Sequence, residues 1–410
     1  MDEDNIYIIN KILFCSFKLL SIIVLIYLLM RFDILNKILR TNLYYEMIKI
    51  EKYFRICNKT GLINKRVFKK VDKPKISIIT PVYNKEGTIK RYLRSIHNQY
   101  FDQIEIILVD DKSTDNSVRI IEGIKEEDQR IILLKNNKRK GTLINRNIGV
   151  FKSRGEYLMF VDPDDLISDD ILNHLFNLAI DNNFNLIRFH LYTGDENLNL
   201  PYISNYLKNI VLYKENIHLS LFYGFGNLFQ LDFYLINKLI KRNLFISALN
   251  SINRYYLSQF MIDCEDGLIN FMLYKLSESF SFTNKIGYYY IVTKQSITHD
   301  STDFKIRLRS NFLYFKYLYE NTKNNNIEKK MADYVLNDVF NRYSDVIINL
   351  FKILSYNLDF YLNIINKYLE SEFISSKTKL ILRKMKNAIQ RNKQFLYSKR
   401  IFVSNQFNKN

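Results

Sequence analysis

Four short apolar runs dominate the region between residues 75 and 161 and limit what this chain can fold into. They read KISIITPVYN (75–84), IEIILVDD (104–111), RIILL (130–134) and EYLMFV (156–161). Strands that are apolar on both faces and alternate with helices of about 10 to 15 residues are typical of βαβ units. In such units helices cover both faces of a parallel sheet. The sequence therefore predicts an open α/β domain that begins near residue 75.

A separate apolar run lies near the amino end, ILFCSFKLLSIIVLIYLLM (12–30), with Lys18 as its only charged residue. Its length matches the roughly 20 residues that a helix needs to span a bilayer. We therefore predict a single-pass membrane anchor, with a cleaved signal peptide and a buried core helix as alternatives. Arg31 after the run favours a cytosolic location for the bulk of the chain, whereas Lys11 before it opposes that orientation. The orientation stays open; in a eukaryote we expect an endomembrane, Golgi or endoplasmic reticulum.

The chain is strongly basic, with 60 Lys and Arg against 42 Asp and Glu and a formal charge of +18. Such an excess indicates either a solvated basic surface or attraction to phosphates on a small ligand or a lipid. Nucleic acid is not a predicted partner, because zinc-finger spacing, RNA-binding signatures and basic regions that lead into heptads are absent from the sequence. The three cysteines are widely spaced and suggest neither a disulfide framework nor a zinc site.

Acidic and other polar residues follow the predicted strands where each strand ends. They occur at 81–84, at Asp110-Asp111 and in FVDPDD (160–165). Ligands of open α/β sheets bind beyond the carboxyl ends of the strands, so these clusters are expected to meet in one crevice. No glycine-rich dinucleotide fingerprint or P-loop is present to hold a phosphate. Asp162-x-Asp164 instead suggests Mn²⁺ or Mg²⁺ between carboxylates and substrate phosphates.

These segments together resemble the family 2 glycosyltransferases, which have the GT-A fold. The matching segments, in order, are ISIITPVYN, IEIILVDDKSTDNS, GTLINRNIGVFKSRGEYLMFVDPDD and CEDGLINFML. The resemblance implies an open, mostly parallel, Rossmann-like sheet in a domain spanning 75–300. Within it, 75–190 would bind a nucleotide sugar and 191–300 the acceptor.

The resemblance also implies roles for individual residues. The residues that would bind the donor are Pro81, Tyr83, Asn84, Asp110, Asp111, Arg146 and Asp162. The metal ligands would be Asp164 and Asp165. His299, at the end of GYYYIVTKQSITH, is a further candidate ligand, with an ordinary surface or core histidine as the alternative. Lys112 departs from the small residue that often follows the paired aspartates.

Transfer to a hydroxyl needs a base, and a partly desolvated carboxylate can act as one. The resemblance implies Asp266 as the catalytic base, with Glu265 as the neighbouring alternative and helix capping as a purely structural role for Asp266. We therefore predict an inverting, metal-dependent transfer of a sugar to a glycan, lipid or protein acceptor. The favoured donor is a UDP-sugar. A catalytically silent nucleotide- or glycan-binding module of the same fold is the alternative.

The predicted organisation of the chain has four parts. In order, they are a membrane anchor (1–30), a helical stem (31–74), the GT-A domain (75–300) and a helical accessory region (301–410).

Overall fold

The structure is a computed structural model, and the ranges that it describes belong to the compact unit Ile63–Asn410. They are 67–195, 202–203, 209–214, 216–217, 234–261, 264–292, 304–322, 358–370, 376, 379–380, 382–391 and 393–394. The predicted anchor, most of the stem and His299 lie outside these ranges. Within them, no helix is both long and apolar enough to cross a membrane.

Helices and strands alternate through the first part of the domain. Its elements are β1 (Ile76–Val82), α1 (Ile89–His97), β2 (Ile104–Asp110), α2 (Ser117–Lys125), β3 (Ile131–Lys135), α3 (Thr142–Lys152), β4 (Tyr157–Phe160), β5 (Leu166–Ile167) and α4 (Ile171–Asn182). The second part contains β6 (Leu186–Asp195), β7 (Tyr202–Ile203), β8 (Ile210–Tyr213), β9 (Lys238–Lys241), α5 (Arg242–Ser251), α6 (Arg254–Leu257), α7 (Glu265–Leu276) and β10 (Ser279–Val292). Helices α8 (Phe304–Asn321) and α9 (Leu358–Leu369) follow, and 382–391 is also helical.

The described strands form one sheet in the order β3-β2-β1-β4-β9-β6-β10-β5, with β7 on β6 and β8 on β10. Strands β3, β2, β1 and β4 are mutually parallel, as predicted. Strand β9 runs antiparallel to both β4 and β6, while β6 and β10 pair in parallel. The sheet is thus open and mixed, and its parallel part is the half that the sequence predicted in detail.

Helices cover both faces of the sheet because its central strands are apolar on both sides. Ile79 and Ile107 point into one buried cluster, which contains residues of α3, α5 and α7. Ile78 and Ile106 point into the other, which contains residues of α1 and α4. This two-faced burial explains why these strands read as continuous apolar runs rather than as an alternating pattern.

The helices after residue 300 add to the first of these clusters. Tyr317 of α8, Ile365 of α9 and Met385 are buried in it together with Phe271 of α7. Tyr317 also lies edge-on to Phe271, with ring centroids 5.8 Å apart. The described part of the predicted accessory region therefore packs on the domain core.

The end of the predicted helical stem differs from the prediction. Residues 67–74 are not helical, and Phe68 forms a parallel bridge with Asp128 just before β3. The Phe68 ring lies 3.4 Å from the buried Arg130 guanidinium and edge-on to His97. These contacts stabilise an extended segment here, because a buried ring and a cation over its face outweigh local helix propensity.

Candidate active site

A cavity of about 200 Å³ opens beyond the carboxyl ends of β1, β2 and β4. The predicted site residues that line it are Pro81, Tyr83, Asp111, Arg146, Asp162, Asp164, Asp165 and Glu265. Asn84, Asp110 and Asp266 are not among its lining residues. Gly141, which opens the matching segment GTLINRNIGVF, also lines it, and so do Lys85, Arg139 and Tyr290, which sequence reasoning missed.

Asp110 and Asn84 hold the loop that connects β2 to α2. The Asp110 carboxylate accepts a hydrogen bond from the backbone N–H of Ser113, and Asn84 Oδ1 accepts one from Thr114 N at 2.8 Å. Lys112, between the paired aspartates and Ser113, has a φ of 65°, a left-handed conformation that a glycine or small polar residue adopts more readily. In this structure the two predicted donor-binding side chains thus shape the loop, and their role toward a donor stays a prediction.

Asp111 points the other way and fixes the loop before α3. Its carboxylate accepts hydrogen bonds from the backbone N–H groups of Lys140 (2.8 Å) and Gly141 (3.0 Å), and from the Asn136 side chain. Gly141 has a φ of 87° and lies against Phe260, so a side chain there would be strained and crowded. The carboxylate therefore sets the position of the β3–α3 loop at the cavity wall.

Arg139 of that loop stacks on the predicted base-pocket tyrosine. Its guanidinium carbon lies 4.0 Å from the centroid of the Tyr83 ring and 6.0 Å from that of Phe260. Arg139 belongs to the run NNKRKG, which by composition is typical of a solvated surface. Only the fold brings it over an aromatic face.

The acidic loop after β4 carries charges with different partners. Asp164 Oδ2 accepts a hydrogen bond from Lys85 Nζ at 2.7 Å, and the Asp164 carbonyl accepts one from Arg91. The Asp162 backbone N–H donates to the Tyr288 hydroxyl at 3.1 Å, so β10 supports the loop. Burial raises the pKa of Asp162, the Arg146 guanidinium opposes that rise, and the charge of Asp164 adds to it.

Asp165 is buried, with 1% of its surface exposed, and it faces β10. The Tyr288 hydroxyl donates to its Oδ2 at 2.7 Å and the Ile291 backbone N–H donates to its Oδ1 at 2.8 Å. Burial, reinforced by the charges of Asp164 and Asp162, raises its pKa well above the usual value. Both oxygens of Asp165 thus accept hydrogen bonds from protein donors, which anchors the loop to β10, and its metal role stays a prediction.

Arg146 joins the acidic loop to the predicted base. Its side chain is 3% exposed and forms ion pairs with Asp162 (3.0 Å), Glu265 (3.6 Å) and Asp266. Burial alone would lower the pKa of Arg146, but the charges of Asp266, Asp162 and Glu265 raise it above its ordinary value. We call these four side chains the four-charge cluster. Arg146, predicted as a donor-binding residue, here contacts protein carboxylates.

Asp266 lies in the first turn of α7, directly after Glu265. Its Oδ1 accepts from Arg146, and its Oδ2 accepts from the Leu235 backbone N–H at 2.9 Å. The side chain remains 15% exposed. Cys264, not Asp266, occupies the N-cap position of α7. The capping role considered for Asp266 is therefore wrong, although a carboxylate in the first turn still favours the helix dipole.

The donor set suits a hard divalent cation held in part by substrate. Asp162 and Asp164 both line the cavity, and carboxylate oxygens are the ligands that Mg²⁺ and Mn²⁺ prefer. Within the described ranges, however, no group of three or more acidic, histidine or cysteine side chains is arranged to hold a metal ion. Mg²⁺ typically binds through one or two carboxylates together with substrate phosphates, and the residues fit that mode rather than an all-protein cage.

The family model for glycosyl transferase family 2 matches residues 77–239, which include the cavity walls on β1, β2 and β4. Over these residues the chain matches glycosyl transferase family 2. An uncharacterized glycosyltransferase of Haemophilus influenzae is 42% identical over 109 residues, which cover 27% of this chain and 44% of that protein. The GalNAc(5)-diNAcBac-PP-undecaprenol beta-1,3-glucosyltransferase of Campylobacter jejuni is 34% identical over 107 residues, 26% of this chain and 35% of that protein.

Among solved structures, the chain is similar to residues 1–349 of TarS of S. aureus in complex with UDP. The TM-score is 0.54 at 19% sequence identity, covering 80% of this chain and 91% of that one. At this identity the likeness concerns the fold, an open mixed α/β sheet of the GT-A type. The chain spans less than half the length of the first curated relatives that it matches. Family, relatives and fold agree on a glycosyltransferase domain.

Proposed function

We propose that this protein is an inverting glycosyltransferase that moves a sugar from a nucleoside-diphosphate donor to an acceptor hydroxyl. The donor that we favour is a UDP-sugar. One observation carries the proposal. Tyr83, Asp111, Asp162 and Asp164 line one cavity at the carboxyl ends of the parallel strands. Arg146 forms ion pairs with both Asp162 and Asp266. An open α/β sheet binds its ligands at this edge.

Each wall of the cavity suits one part of the donor. The aromatic face of Tyr83 would contact the base, and the carboxylates of Asp162 and Asp164 lie where the diphosphate would be. Carboxylates repel a diphosphate unless a cation lies between them. Asp164, with Asp162, would hold Mn²⁺ or Mg²⁺, and when bound this ion supplies Lewis-acid stabilisation of the diphosphate leaving group.

Asp266 would take the proton of the acceptor hydroxyl as the sugar–phosphate bond breaks. The side chain is 15% exposed, and Arg146 and the Leu235 N–H, which donate to its two oxygens, fix its orientation. A base held in one orientation acts through proximity as well as basicity. The attack comes from the side of the base in one displacement, which inverts the anomeric configuration.

The acceptor, the anchor and the location are proposals too. The Campylobacter jejuni relative acts, by its name, on an undecaprenol-linked glycan. A lipid-linked or glycan acceptor suits a chain with a net charge of +18 and a predicted membrane anchor at 12–30. Sedimentation of the protein with membranes, and its release by detergent but not by alkaline carbonate, would test the anchor.

A silent binding module of the same fold is the second candidate, because two of the predicted functional carboxylates already carry a partner. Asp164 is ion-paired with Lys85, and Asp266 with Arg146. A module that binds nucleotide without transfer needs neither carboxylate. Activity measurements separate the two candidates.

The test measures release of nucleoside diphosphate and of glycosylated product from a panel of UDP- and GDP-sugars with Mn²⁺. We expect Asp266→Asn to lower kcat by about 10²- to 10⁴-fold while UDP binding is retained. Glu265→Gln in parallel shows which carboxylate is the base. Asp170→Asn is the matched control, since Asp170 also pairs with a lysine, Lys285, but does not line the cavity. UDP binding without transfer from any donor would favour the silent module.

A further inference from the structure

Lys85 contacts the carboxylate that the proposed function assigns to the metal. Its ammonium nitrogen lies 2.7 Å from Asp164 Oδ2, and the two side chains are 19% and 18% exposed. Both line the cavity. This pair differs from an ordinary surface pair such as Lys135 with Glu122, whose side chains are 50% and 53% exposed. A half-buried pair is screened less by solvent and ions than an exposed one.

The backbone of Lys85 is held from both sides. Its N–H donates to Ser117 Oγ at 2.6 Å, at the start of α2. Its carbonyl accepts the N–H groups of Thr88 and Ile89, at the start of α1. Lys85 is therefore fixed at the junction of two helices, and its side chain reaches Asp164 from a rigid base.

An ammonium group and a divalent cation cannot share Asp164 Oδ2. Two cations within about 3 Å of one oxygen repel each other strongly in a partly buried site. Arg146 is paired with Asp162, Glu265 and Asp266 rather than with Asp164. Lys85 is thus the ammonium group that a metal ion would displace from Asp164 Oδ2.

We propose that Lys85 is an exchangeable counter-ion of this site. It neutralises Asp164 in the donor-free protein, and it moves from Asp164 to the diphosphate when the metal ion and the donor bind. This proposal rests on the proposed function, which assigns the metal ion to Asp164, but the exchange at Asp164 can be tested without a donor. It predicts that Lys85 weakens metal binding in the free protein and strengthens nucleotide binding once the metal is present.

The first experiment titrates Mn²⁺ into the full-length protein without nucleotide and follows the free ion by electron paramagnetic resonance. Lys85→Gln should bind Mn²⁺ tighter, on the order of fivefold, which corresponds to the loss of one partly exposed ion pair. Lys85→Arg keeps the charge and should bind Mn²⁺ like the wild type. Lys135→Gln, which removes the exposed pair outside the cavity, should also leave the affinity unchanged.

The same variants are then titrated with UDP at saturating Mn²⁺. Here Lys85→Gln should bind UDP on the order of fivefold more weakly, since it loses one cation near the phosphates. Counter-ion exchange thus predicts a higher Mn²⁺ affinity and a lower UDP affinity for Lys85→Gln. A purely structural role of Lys85 would instead weaken both affinities or neither. An unchanged or lower Mn²⁺ affinity in Lys85→Gln would overturn the proposal.

Amine labelling of the wild-type protein, read by mass spectrometry, gives a test without any variant. The reactivity of Lys85 should rise when Mn²⁺ saturates the protein and fall again when UDP is added. Unchanged reactivity at saturating Mn²⁺ would refute the exchange. Tighter Mn²⁺ binding in Lys85→Gln with no binding of any nucleotide would support the exchange at Asp164 and count against the proposed function. Donor turnover together with an unchanged Mn²⁺ affinity in Lys85→Gln would support the proposed function and count against the exchange.

Discussion

Replacing Arg146 by methionine tests the central electrostatic feature of the site. The substitution keeps the approximate length and apolar stem of the side chain but removes a guanidinium that contacts Asp162, Glu265 and Asp266. Removing one partner of a buried ion pair typically costs about 3–5 kcal/mol, because the remaining charge is left uncompensated. The three carboxylates are 29%, 11% and 15% exposed, so water can partly rehydrate them. We therefore expect Arg146→Met to lose stability at the lower end of this range, about 3 kcal/mol at neutral pH.

The loss should depend on pH in a defined direction. Burial already raises the pKa of Asp162, and Arg146→Met removes the guanidinium that opposes that rise. Groups with a raised folded pKa stabilise the fold below their unfolded pKa of about 4, and that contribution is lost as pH rises through the folded pKa. The deficit of Arg146→Met relative to wild type should thus be largest at neutral and higher pH and should shrink toward acid.

Thermal unfolding of both proteins from pH 5 to pH 8 gives the measurement. A neutral-pH deficit of this size should lower Tm by on the order of 5 °C or more. Arg130→Met is the matched control: Arg130 is also buried and paired with Asp128, but neither lines the cavity. Both variants should lose stability, but only Arg146→Met should lose transfer activity below its unfolding temperature. A deficit independent of pH, or one that grows toward acid, would refute the reasoning.

Three further substitutions test the packing and the buried groups. Gly149→Ala should lower stability by about 1–3 kcal/mol without changing UDP affinity, because the added Cβ would lie 2.4 Å from Ile79 Cγ2; thermal unfolding and a UDP titration check this. Burial lowers the pKa of His190 to about 4, so it stays neutral in the fold while the unfolded chain binds a proton below pH 6.5. Wild type should therefore lose up to ~3 kcal/mol between pH 7 and pH 4, and His190→Leu should show a smaller loss in unfolding experiments over that range. Tyr288→Phe removes a hydrogen bond to Asp165 and should lower the free energy of unfolding by about 1–3 kcal/mol. If β10 fixes the acidic loop, this variant should also bind Mn²⁺ and UDP more weakly. Unchanged affinities would show that the loop keeps its conformation without this hydrogen bond.

The sequence predicted the parallel half of the sheet well because its strands and helices depend on local patterns. The four apolar runs correspond to β1 to β4, and the helices α1, α2 and α3 alternate with them as predicted. The second half was not readable in the same detail. Strand β9 is four residues long and sits between β4 and β6, a position set by its partners rather than by its own pattern.

The site shows a similar division. Residues at strand ends, such as Tyr83 and Asp164, were found because parallel strands bring their carboxyl ends to one edge. Lys85, Arg139 and Tyr288 were missed, since the partner of a long polar side chain depends on the tertiary fold. Arg146 was found but assigned to the donor, although its three contacts here are carboxylates of the protein.

The four-charge cluster also bears on how this chain could change over evolutionary time. Buried ionic groups are a thermodynamic burden, and well-packed apolar replacements are often neutral or stabilising. A lineage that stopped transferring sugars would gain stability by losing Arg146 together with its acidic partners, whereas losing any one alone would be penalised. The cluster should therefore persist or disappear as a unit, and a related sequence with only part of it should encode a less stable protein.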